Sequence, residues 1–326
     1  MTSNEGGIEI LVAGAGGGGC NTVNRLAALG GGKARLVAFN TDKKHLKTMI
    51  DPVERVLLGA SLTKGLGAGG DPVLAEKAAF ASKKLIEQQV SDADMVFITV
   101  GMGGGTGTGS APVIAQIAKD HGALVVGMVT FPFALERARI KKARTGTAKL
   151  ADVCDCVVVV QNDKLYQWVP NMQIDKAFAL ADDVVAKAVG GISRTILEPS
   201  LMNLDFADVK TLMDGGGLGM VAHGEASGYA RAEEVVTNTL DHPLLDVDWS
   251  QASGALFHLS GGPDLTLGDA NDVGEKLTAR LADDTNVVWG ARIDERFDKS
   301  LEAFAIFTGI PSPLLLDPDA PQSEKR

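Results

Sequence analysis

The stretch "GMGGGTGTGSAP" occupies residues 101–112 and directly follows the apolar run "MVFITV" at 95–100. Six glycines and two threonines in nine residues do not build a packed strand or a stable helix interior, because each glycine there costs about 0.5–1 kcal/mol relative to alanine. A strand, a glycine-rich turn and then a helix is a typical anion site, since unpaired N–H groups at the helix N-terminus face the ligand. The stretch therefore predicts an α/β fold with a phosphate-binding turn.

Short, nearly continuous apolar runs recur through the first half of the chain, and amphipathic helical patterns separate several of them. Such runs are typical of strands buried on both faces of a parallel sheet. The alternation predicts a doubly wound, Rossmann-like domain at residues 1–172. The predicted strands are 8–14, 34–41, 54–59, 95–101, 123–130 and 156–162, and the predicted helices are 20–29, 72–89, 110–121 and 135–153.

A long helical pattern follows at 173–199, with apolar residues at three- and four-residue spacing from Ile174 to Ile192 and Pro199 at its end. We interpret it as a connecting helix. The pattern then changes to alternating strands, which predicts an α+β domain at 200–318 and a disordered tail at 319–326. The predicted elements of this domain are strands at 217–226, 254–262, 285–294 and 302–310 and helices at 228–241 and 269–283.

The composition excludes several classes of protein. The net charge of −10 over 326 residues argues against a nucleic-acid partner, and the basic run at 136–144 reads as a solvated helix face. The N-terminus does not resemble a signal peptide, and the apolar stretch at 123–135 is too short and too broken to enter a membrane. Cys154 and Cys156 read as small buried residues, so we predict no metal site and a cytoplasmic protein.

Two further glycine segments point to the same ligand. "GAGGGG" at 14–19 satisfies the dinucleotide fingerprint, with Asp42 as the acidic residue some twenty positions on, so an NAD(P)- or flavin-dependent oxidoreductase is one alternative. "KGLGAGGDP" at 64–72 again ends at a predicted helix start. No Walker-type lysine motif occurs, so backbone N–H groups, hydroxyls and a divalent ion would meet the phosphate charge. Three such turns favour a nucleotide polyphosphate.

Together these segments resemble the tubulin/FtsZ superfamily in its FtsZ form, over roughly residues 8–310, and "LERAR" at 135–139 is similar to archaeal members. The resemblance implies a GTPase that binds GTP/GDP and Mg²⁺ and assembles head-to-tail into filaments for cell division. It implies a cytoplasmic protein at the division site, held there by adaptor or anchor proteins rather than by membrane insertion. The alternatives are a cell-shape filament of the same superfamily and an inactive structural member. Other matching segments are "NTD" (40–42), "VTFPF" (129–133), "NDKL" (162–165) and "NLDFADVKTLM" (203–213).

The resemblance also assigns a cofactor site, residue by residue. It implies that the terminal phosphate is sensed at Ala68, Gly69 and Gly70, that guanine is contacted by Asn21, Asn162 and Asp183 with Phe178 against the base, and that Thr130 and Glu136 reach the ribose. The remaining implied cofactor residues are Gly16, Gly17, Gly18, Gly19, Cys20, Asn40, Asp42, Gly101, Gly103, Gly104, Gly105, Thr106, Gly107, Thr108, Gly109 and Arg139.

The catalytic residues implied by the resemblance are Asn203, Asp205 and Asp208, in an acidic loop that enters the nucleotide site of the next subunit. On these residues alone a capping or turn cluster is the alternative. One departure from the family pattern affects the site, because Ile140 stands where an arginine is usual. Arg137 or Arg139 would then take over its contact.

Overall fold

Ten strands form one sheet in the described part of the chain. The computed structural model describes residues 7–30, 33–198, 205–213, 217–241 and 249–310. The order of the strands across the sheet is β3-β2-β1-β4-β5-β6-β7-β10-β8-β9. In chain order the strands are β1 (Ile10–Ala15), β2 (Arg35–Asn40), β3 (Glu54–Leu57), β4 (Met95–Gly101), β5 (Leu124–Phe131), β6 (Cys156–Gln161), β7 (Gly217–Ser227), β8 (Gly254–Gly261), β9 (Asn286–Ile293) and β10 (Ser300–Thr308).

The strands from β1 to β7 pair in parallel, and β10 runs antiparallel to both of its neighbours, β7 and β8. Every residue of β1 is buried, as are all residues of β4 except its last. Burial on both faces explains their continuous apolar sequence, since helices cover each side of a parallel sheet. The predicted α/β class is confirmed: the strands of the first half are parallel, and the second half is α+β.

Helices cover both faces of the parallel sheet. Helices α1 and α9 pack on one face, and α4 to α7 pack on the other, each with its own apolar core. Two short 3-10 turns occur at Trp249–Gln251 and Glu295–Phe297. The helices are α1 (Gly16–Ala28), α2 (Lys43–Leu46), α3 (Ala60–Thr63), α4 (Pro72–Ala81), α5 (Lys83–Val90), α6 (Thr106–Asp120), α7 (Arg137–Ala151), α8 (Asn162–Trp168), α9 (Ile174–Leu197), α10 (Phe206–Met213), α11 (Arg231–Leu240) and α12 (Leu267–Thr278).

Two helices begin four residues earlier than predicted. Helix α1 starts at Gly16 rather than at residue 20, and α6 starts at Thr106 rather than at residue 110. The prediction that the glycines form only a loop was therefore wrong. A side chain at Gly109 would place its Cβ 2.0 Å from the Pro72 carbonyl oxygen, so close packing requires glycine within the helix. The helix predicted at 72–89 is two helices, with a break at Ser82.

Helix α9 connects the two halves of the molecule. Its 24 residues span about 36 Å at 1.5 Å per residue, matching the predicted connecting helix. Gly190 and Gly191 do not interrupt it. A Cβ at Gly191 would lie 2.9 Å from the Phe304 ring, so the small residue lets α9 pack closely on β10. One apolar core combines α9 residues with residues of β1, β5, β8 and β10.

The sheet continues from the first half of the chain into the second. Strand β6 pairs with β7 through three residue pairs, from Cys156 opposite Gly217 to Val158 opposite Gly219. The sequence predicts two domains and does not say whether their strands pair, so this junction is a finding of the structure. The predicted boundaries at 172 and 199 stay a prediction, and the predicted tail at 319–326 lies outside the described residues.

None of the helices in the described ranges combines the length and the apolar character that a bilayer crossing requires.

Candidate functional site

The first glycine segment forms the opening turn of α1, directly after β1. Gly16 has a φ of +70°, and a Cβ there would lie 2.5 Å from the Gly107 nitrogen at the start of α6. A Cβ at Gly18 would likewise lie 3.1 Å from the Gly101 Cα. Gly17, in contrast, is exposed and has open space around it. The N-termini of α1 and α6 therefore meet side by side, and their first turns contain no acidic residue.

Two residues of this segment face the interior. The Cys20 side chain is fully buried, and its thiol donates to the Gly14 and Phe39 carbonyl oxygens at 3.7 Å. Burial raises the pKa of Cys20 to about 12, although a hydrogen bond from Asn40 lowers it. Gly19 is also buried, and a Cβ there would clash with the Thr99 carbonyl oxygen, so no side chain fits. These residues support the turn from below.

The second glycine segment lies between β4 and α6. Gly103 has a φ of +93°, and a Cβ there would be 2.8 Å from the Arg139 carbonyl oxygen on α7. Its N–H donates to the Thr108 hydroxyl at 3.0 Å. Gly105 lies against Gly70 and the Asp71 nitrogen, so the second segment contacts the third. Gly104 is partly exposed beside these contacts.

The third segment approaches from before α4. Gly69 and Gly70 have positive φ values of 59° and 77° and are exposed, while Ala68 is buried. The Lys142 ammonium donates to the Gly70 carbonyl oxygen at 2.6 Å. The Asp71 carboxylate caps α4, accepting from the Val73 N–H at 2.9 Å. All three glycine segments are thus brought together, as the parallel sheet predicts for turns at one edge.

A hydrogen-bonded group from the end of β2 borders the segments. The Thr41 and Thr106 hydroxyls lie 2.6 Å apart, which links this turn to the start of α6. His45 contacts the side chains of Asn40 at 3.2 Å and Asn21 at 3.1 Å through its two ring nitrogens. The Asp42 carboxylate caps α2, accepting from the Lys44 and His45 N–H groups. In the structure, Asp42 therefore has an intramolecular role.

Asn162, Phe178 and Asp183 lie on α8 and on α9. Among the described residues, the Asn162 Oδ1 atom is buried without a hydrogen-bond partner. The Phe178 ring is 43% exposed and meets Phe133 edge-on at 5.7 Å. Asp183 accepts from Arg25 Nε at 2.9 Å. Because buried polar atoms are nearly always paired in proteins, the Asn162 oxygen marks a place where a donor from a ligand fits.

Asp182, next to Asp183, is a contact that the sequence did not suggest. The Thr22 hydroxyl of α1 donates to its Oδ1 atom at 2.9 Å. Burial raises the pKa of Asp182 to about 6, against the hydrogen bond from Thr22 and the charge of Arg25, which lower it. Asp182 therefore connects α9 to α1 through the neutral Thr22, and Asp183 does so through the cationic Arg25.

The start of α7 places a cation beside the glycines. Arg139 pairs with Glu136, and its Nη2 atom lies 4.0 Å from where a Gly104 Cβ would be. Ile140 instead packs against the apolar core beneath α6 and α7, and Arg137 is exposed. Thr130 is half-buried at the end of β5, and its carbonyl accepts from the Met102 N–H at 3.0 Å.

The acidic residues belong to the segment of α10, which ends near the amino ends of the parallel strands. Asp205 and Asp208 are exposed, and the Asp208 N–H donates to the Asp205 carbonyl at 3.0 Å as α10 begins. Helix α10 ends at Met213, just before β7 begins beside the amino end of β6. The glycine segments follow the carboxyl ends of β1 and β4, so they and the end of α10 lie at opposite ends of the strands. Asn203 lies outside the described residues.

Sequence reasoning missed several contacts of the site. Lys142 belongs to the basic run that reads as a solvated face, yet its ammonium reaches Gly70. The Thr41–Thr106 and Thr22–Asp182 pairs join residues 65 and 160 positions apart. Such pairs carry no local signal, whereas the density of lysine and arginine in α7 was a signal that could have indicated Lys142.

Family models match both halves of the chain. The Tubulin/FtsZ family GTPase domain matches residues 9–170, and the FtsZ family C-terminal domain matches 217–311. The chain is similar to cell division protein FtsZ 2 of Methanocaldococcus jannaschii, at 51% identity over 96% of this chain and 83% of that protein. It is similar to cell division protein FtsZ 2 of Haloferax volcanii at 49% identity over 95% and 77%.

Solved structures agree with these matches. An empty FtsZ dimer from M. jannaschii has a TM-score of 0.88 and 45% identity, covering 94% of this chain and 89% of that one. CetZ2 from H. volcanii, a GTPγS-bound protofilament, has a TM-score of 0.78 over 93% and 94%, and its 22% identity shows the shared fold alone. With both domain families matched and relatives near half identical over almost its whole length, the chain belongs to the FtsZ family of the tubulin/FtsZ GTPases.

Proposed function

We propose that the protein binds and hydrolyses GTP and assembles head-to-tail into filaments that act in cell division. The observation that carries this proposal is the meeting of three glycine segments at two helix N-termini that have no acidic residue in their first turns. Unpaired N–H groups and helix dipoles favour a polyphosphate there. The division role rests on the names of the relatives at 49–51% identity.

Guanine would lie between α1 and α9. The buried Asn162 oxygen can accept from a base N–H, and the exposed Phe178 ring offers an apolar face. Asp183 would accept from the guanine ring and amino N–H groups, once the base replaces Arg25 as its partner. Adenine has no matching pair of N–H donors, so it could not replace Arg25 as the partner of this carboxylate. Asn21 would border the base, and Thr130 and Glu136 the ribose.

The phosphates would be held mainly by the backbone. Gly17, Gly69 and Gly104 are exposed or partly exposed on the three segments. Arg139 would provide the cation expected from the family arginine, because Ile140 packs into the core and Arg139 lies beside Gly104. Mg²⁺ fits such a site because it prefers phosphate oxygens and water with few protein ligands. Bound Mg²⁺ would neutralise charge on the terminal phosphate.

Hydrolysis would require two subunits. Asp205 and Asp208 belong to the segment of α10, which ends at the strand ends opposite the glycine segments, so they would not reach the phosphates of their own subunit. Stacking one subunit on another would bring the acidic edge of one to the nucleotide edge of the next, with Asn203 nearby in sequence. The carboxylates would position and polarise water against the terminal phosphate. Such a contact is heterologous and extends into a filament.

Adaptor or anchor proteins would hold these filaments at the division site on the cytoplasmic side. A cell-shape filament is the alternative within the superfamily. The FtsZ relatives favour division because two that are named cell division proteins are 49–51% identical over at least 95% of this chain. An oxidoreductase is disfavoured by the GTPase-domain match and by Asp42, whose carboxylate caps α2.

The decisive experiment mixes two variants, one that lacks the proposed catalytic carboxylate and one that is impaired in nucleotide binding. Asp208→Asn should bind GTP normally and lose turnover about 100-fold or more, because it lacks a group that activates water. Gly17→Asp should fold, since Gly17 faces open space, but its carboxylate should repel phosphate. We expect the 1:1 mixture to regain phosphate release, because Asp208 of the second variant completes the nucleotide site of the first.

Gly274→Asp is the matched control, because Gly274 also faces open space but lies on α12, away from the site. Wild-type binding and turnover are expected for it. Pelleting with GTP and with GDP measures assembly in parallel. A mixture no more active than its two components, although both variants enter filaments with wild-type protein, would overturn the shared site.

A further inference from the structure

A group of metal-ligand side chains lies in the second half of the chain, away from the nucleotide site. It consists of His223 and Glu225 on β7 and Glu302 on β10. Glu225 and Glu302 are directly opposite each other in the antiparallel ladder, and His223 precedes Glu225 by two residues on the same strand. Because side chains alternate along strands, all three project from the same face of the sheet. The chain's fold therefore gathers them, although they are up to 79 positions apart in sequence.

The ligand atoms converge. His223 Nε2 lies 3.0 Å from the nearer Glu302 oxygen and 3.4 Å from a Glu225 oxygen, and the three ligand atoms lie within 4.8 Å of one another. Tetrahedral zinc, with bonds of about 2.0–2.2 Å, needs ligand atoms roughly 3.3 Å apart. Small side-chain rotations would reach this spacing. One imidazole with two carboxylates is a ligand set for zinc, whereas magnesium and calcium prefer oxygen alone.

The His223 imidazole lies between two carboxylates of like charge. Like charges directly opposite each other in a sheet are destabilising, and one Nε2–H group can donate to only one of them. From α9, Lys187 approaches Glu225 at 3.7 Å and Arg194 approaches Glu302 at 3.5 Å. Both sides of the Lys187 pair are about half exposed, so that pair contributes little.

We propose that His223, Glu225 and Glu302 form a zinc-binding site with water as the fourth ligand. Glu225 has a side chain that is 54% exposed, which gives the ion a path from solvent. Glu302 is buried and would keep Arg194 as an outer partner that fixes its orientation.

Zinc would change one contact between the sheet and α9. The ion would tie β7 to β10 and compete with Lys187 for Glu225, thereby loosening one contact between α9 and the second half of the chain. The three cysteines would not compete for the ion, because burial raises their thiol pKa values far above neutrality. The site is independent of GTP binding, so failure of this proposal leaves the proposed function untouched.

Calorimetric titration of the metal-stripped, nucleotide-free full chain with ZnCl₂ tests the site. We expect one zinc per chain, with at least 10-fold weaker binding in Glu225→Gln and in His223→Gln. Glu225→Gln is the variant least disturbing to folding, because its side chain is exposed. His121→Gln, at the exposed end of α6, is the control histidine variant and should bind like wild type.

Two further readouts separate a built site from nonspecific binding. Zinc should raise the Tm of wild type and of His121→Gln but not that of Glu225→Gln. Co²⁺ in place of zinc should give visible absorption of a four-coordinate ion that is lost in the same variant. Absence of zinc binding in the wild type, or equal affinity in all variants, would overturn the proposal.

Discussion

Asp182 and Asp183 are neighbours on α9, yet they meet opposite kinds of partner on α1. Asp183 pairs with the Arg25 guanidinium, whereas Asp182 receives only the neutral Thr22 hydroxyl at close range. Burial with so little compensation is why the pKa of Asp182 rises to about 6. At neutral pH the folded protein therefore carries a charge on Asp182 that costs stability. Its neighbour Asp183 is a residue that we propose contacts guanine.

Replacing Asp182 by Asn should make stability less dependent on pH. With a folded pKa above the unfolded value of 3.8, wild type loses stability as pH rises from about 4 through 6. We expect Asp182→Asn to match wild type near pH 4 and to exceed it by about 1–2 kcal/mol above pH 7. Urea unfolding between pH 4 and 8 measures the difference. Asp272→Asn, at an exposed position on α12, is the control, and a gap that stays constant with pH would contradict this account.

At the scale of one element, α6 explains why its glycines precede the apolar part of the helix. Its first turn is wedged between α1, α4 and the end of β4, so a Cβ added at Gly107 or Gly109 would lie within 3 Å of backbone atoms of neighbouring segments. Glycine lowers intrinsic helix stability, but contacts with neighbouring elements hold the turn helical. The first N–H groups of this turn have no partner within the helix, as at every helix N-terminus.

A methyl group at Gly109 should therefore destabilise the protein. Its Cβ would lie 2.0 Å from the Pro72 carbonyl oxygen, which forces α4 and α6 apart. We expect Gly109→Ala to lower the free energy of unfolding by about 1–3 kcal/mol. Gly274→Ala is the matched control, because that helical glycine faces open space and alanine should gain up to about 1 kcal/mol there. Equal thermal stability of the two variants would rule out this packing argument.

The sequence predicts elements with a local signal and misses those that depend on contacts between distant segments. The apolar runs predict β1 to β6 to within a few residues, because burial on both faces leaves a local signal. The starts of α1 and α6 were missed, since glycine propensity argues against the helix that tertiary packing imposes. The glycine segments of the site were recognisable from their motifs. Contacts such as Lys142 with Gly70 arise only when distant segments meet.

At the scale of the whole molecule, one sheet and one core join the two halves. The β6–β7 ladder and the shared core around α9 both cross the predicted boundary at 172 and 199. No local pattern reveals which strands of two regions pair, so the sequence predicts two domains and leaves out their continuity. Close packing at the junction is visible at Gly219, where a Cβ would lie 2.3 Å from the Cys156 sulfur.

Gly219→Ala should weaken the junction specifically. Separating β6 from β7 by the width of a methyl group disturbs a ladder of only three residue pairs. Wild type should unfold in one cooperative transition, and the variant should unfold at lower temperature with the transition broadened or split. Calorimetry with far-UV circular dichroism measures both. Gly228→Ala is a poor comparison because of its positive φ, so Gly274→Ala again is the control. An unchanged single transition would contradict the role of the junction.

The direction of the elements has a mechanical consequence. In the proposed filament, β1, β4, β5, β6 and helix α9 all run between the nucleotide edge of a subunit and its acidic edge. Tension along the filament would then act along the strand axes, loading the hydrogen bonds of neighbouring strands in shear, in which many must break together. Force passing from one half of a subunit to the other would act on the short β6–β7 ladder and along the length of α9. A pulled filament would concentrate its strain there, at the connection that also holds each subunit together.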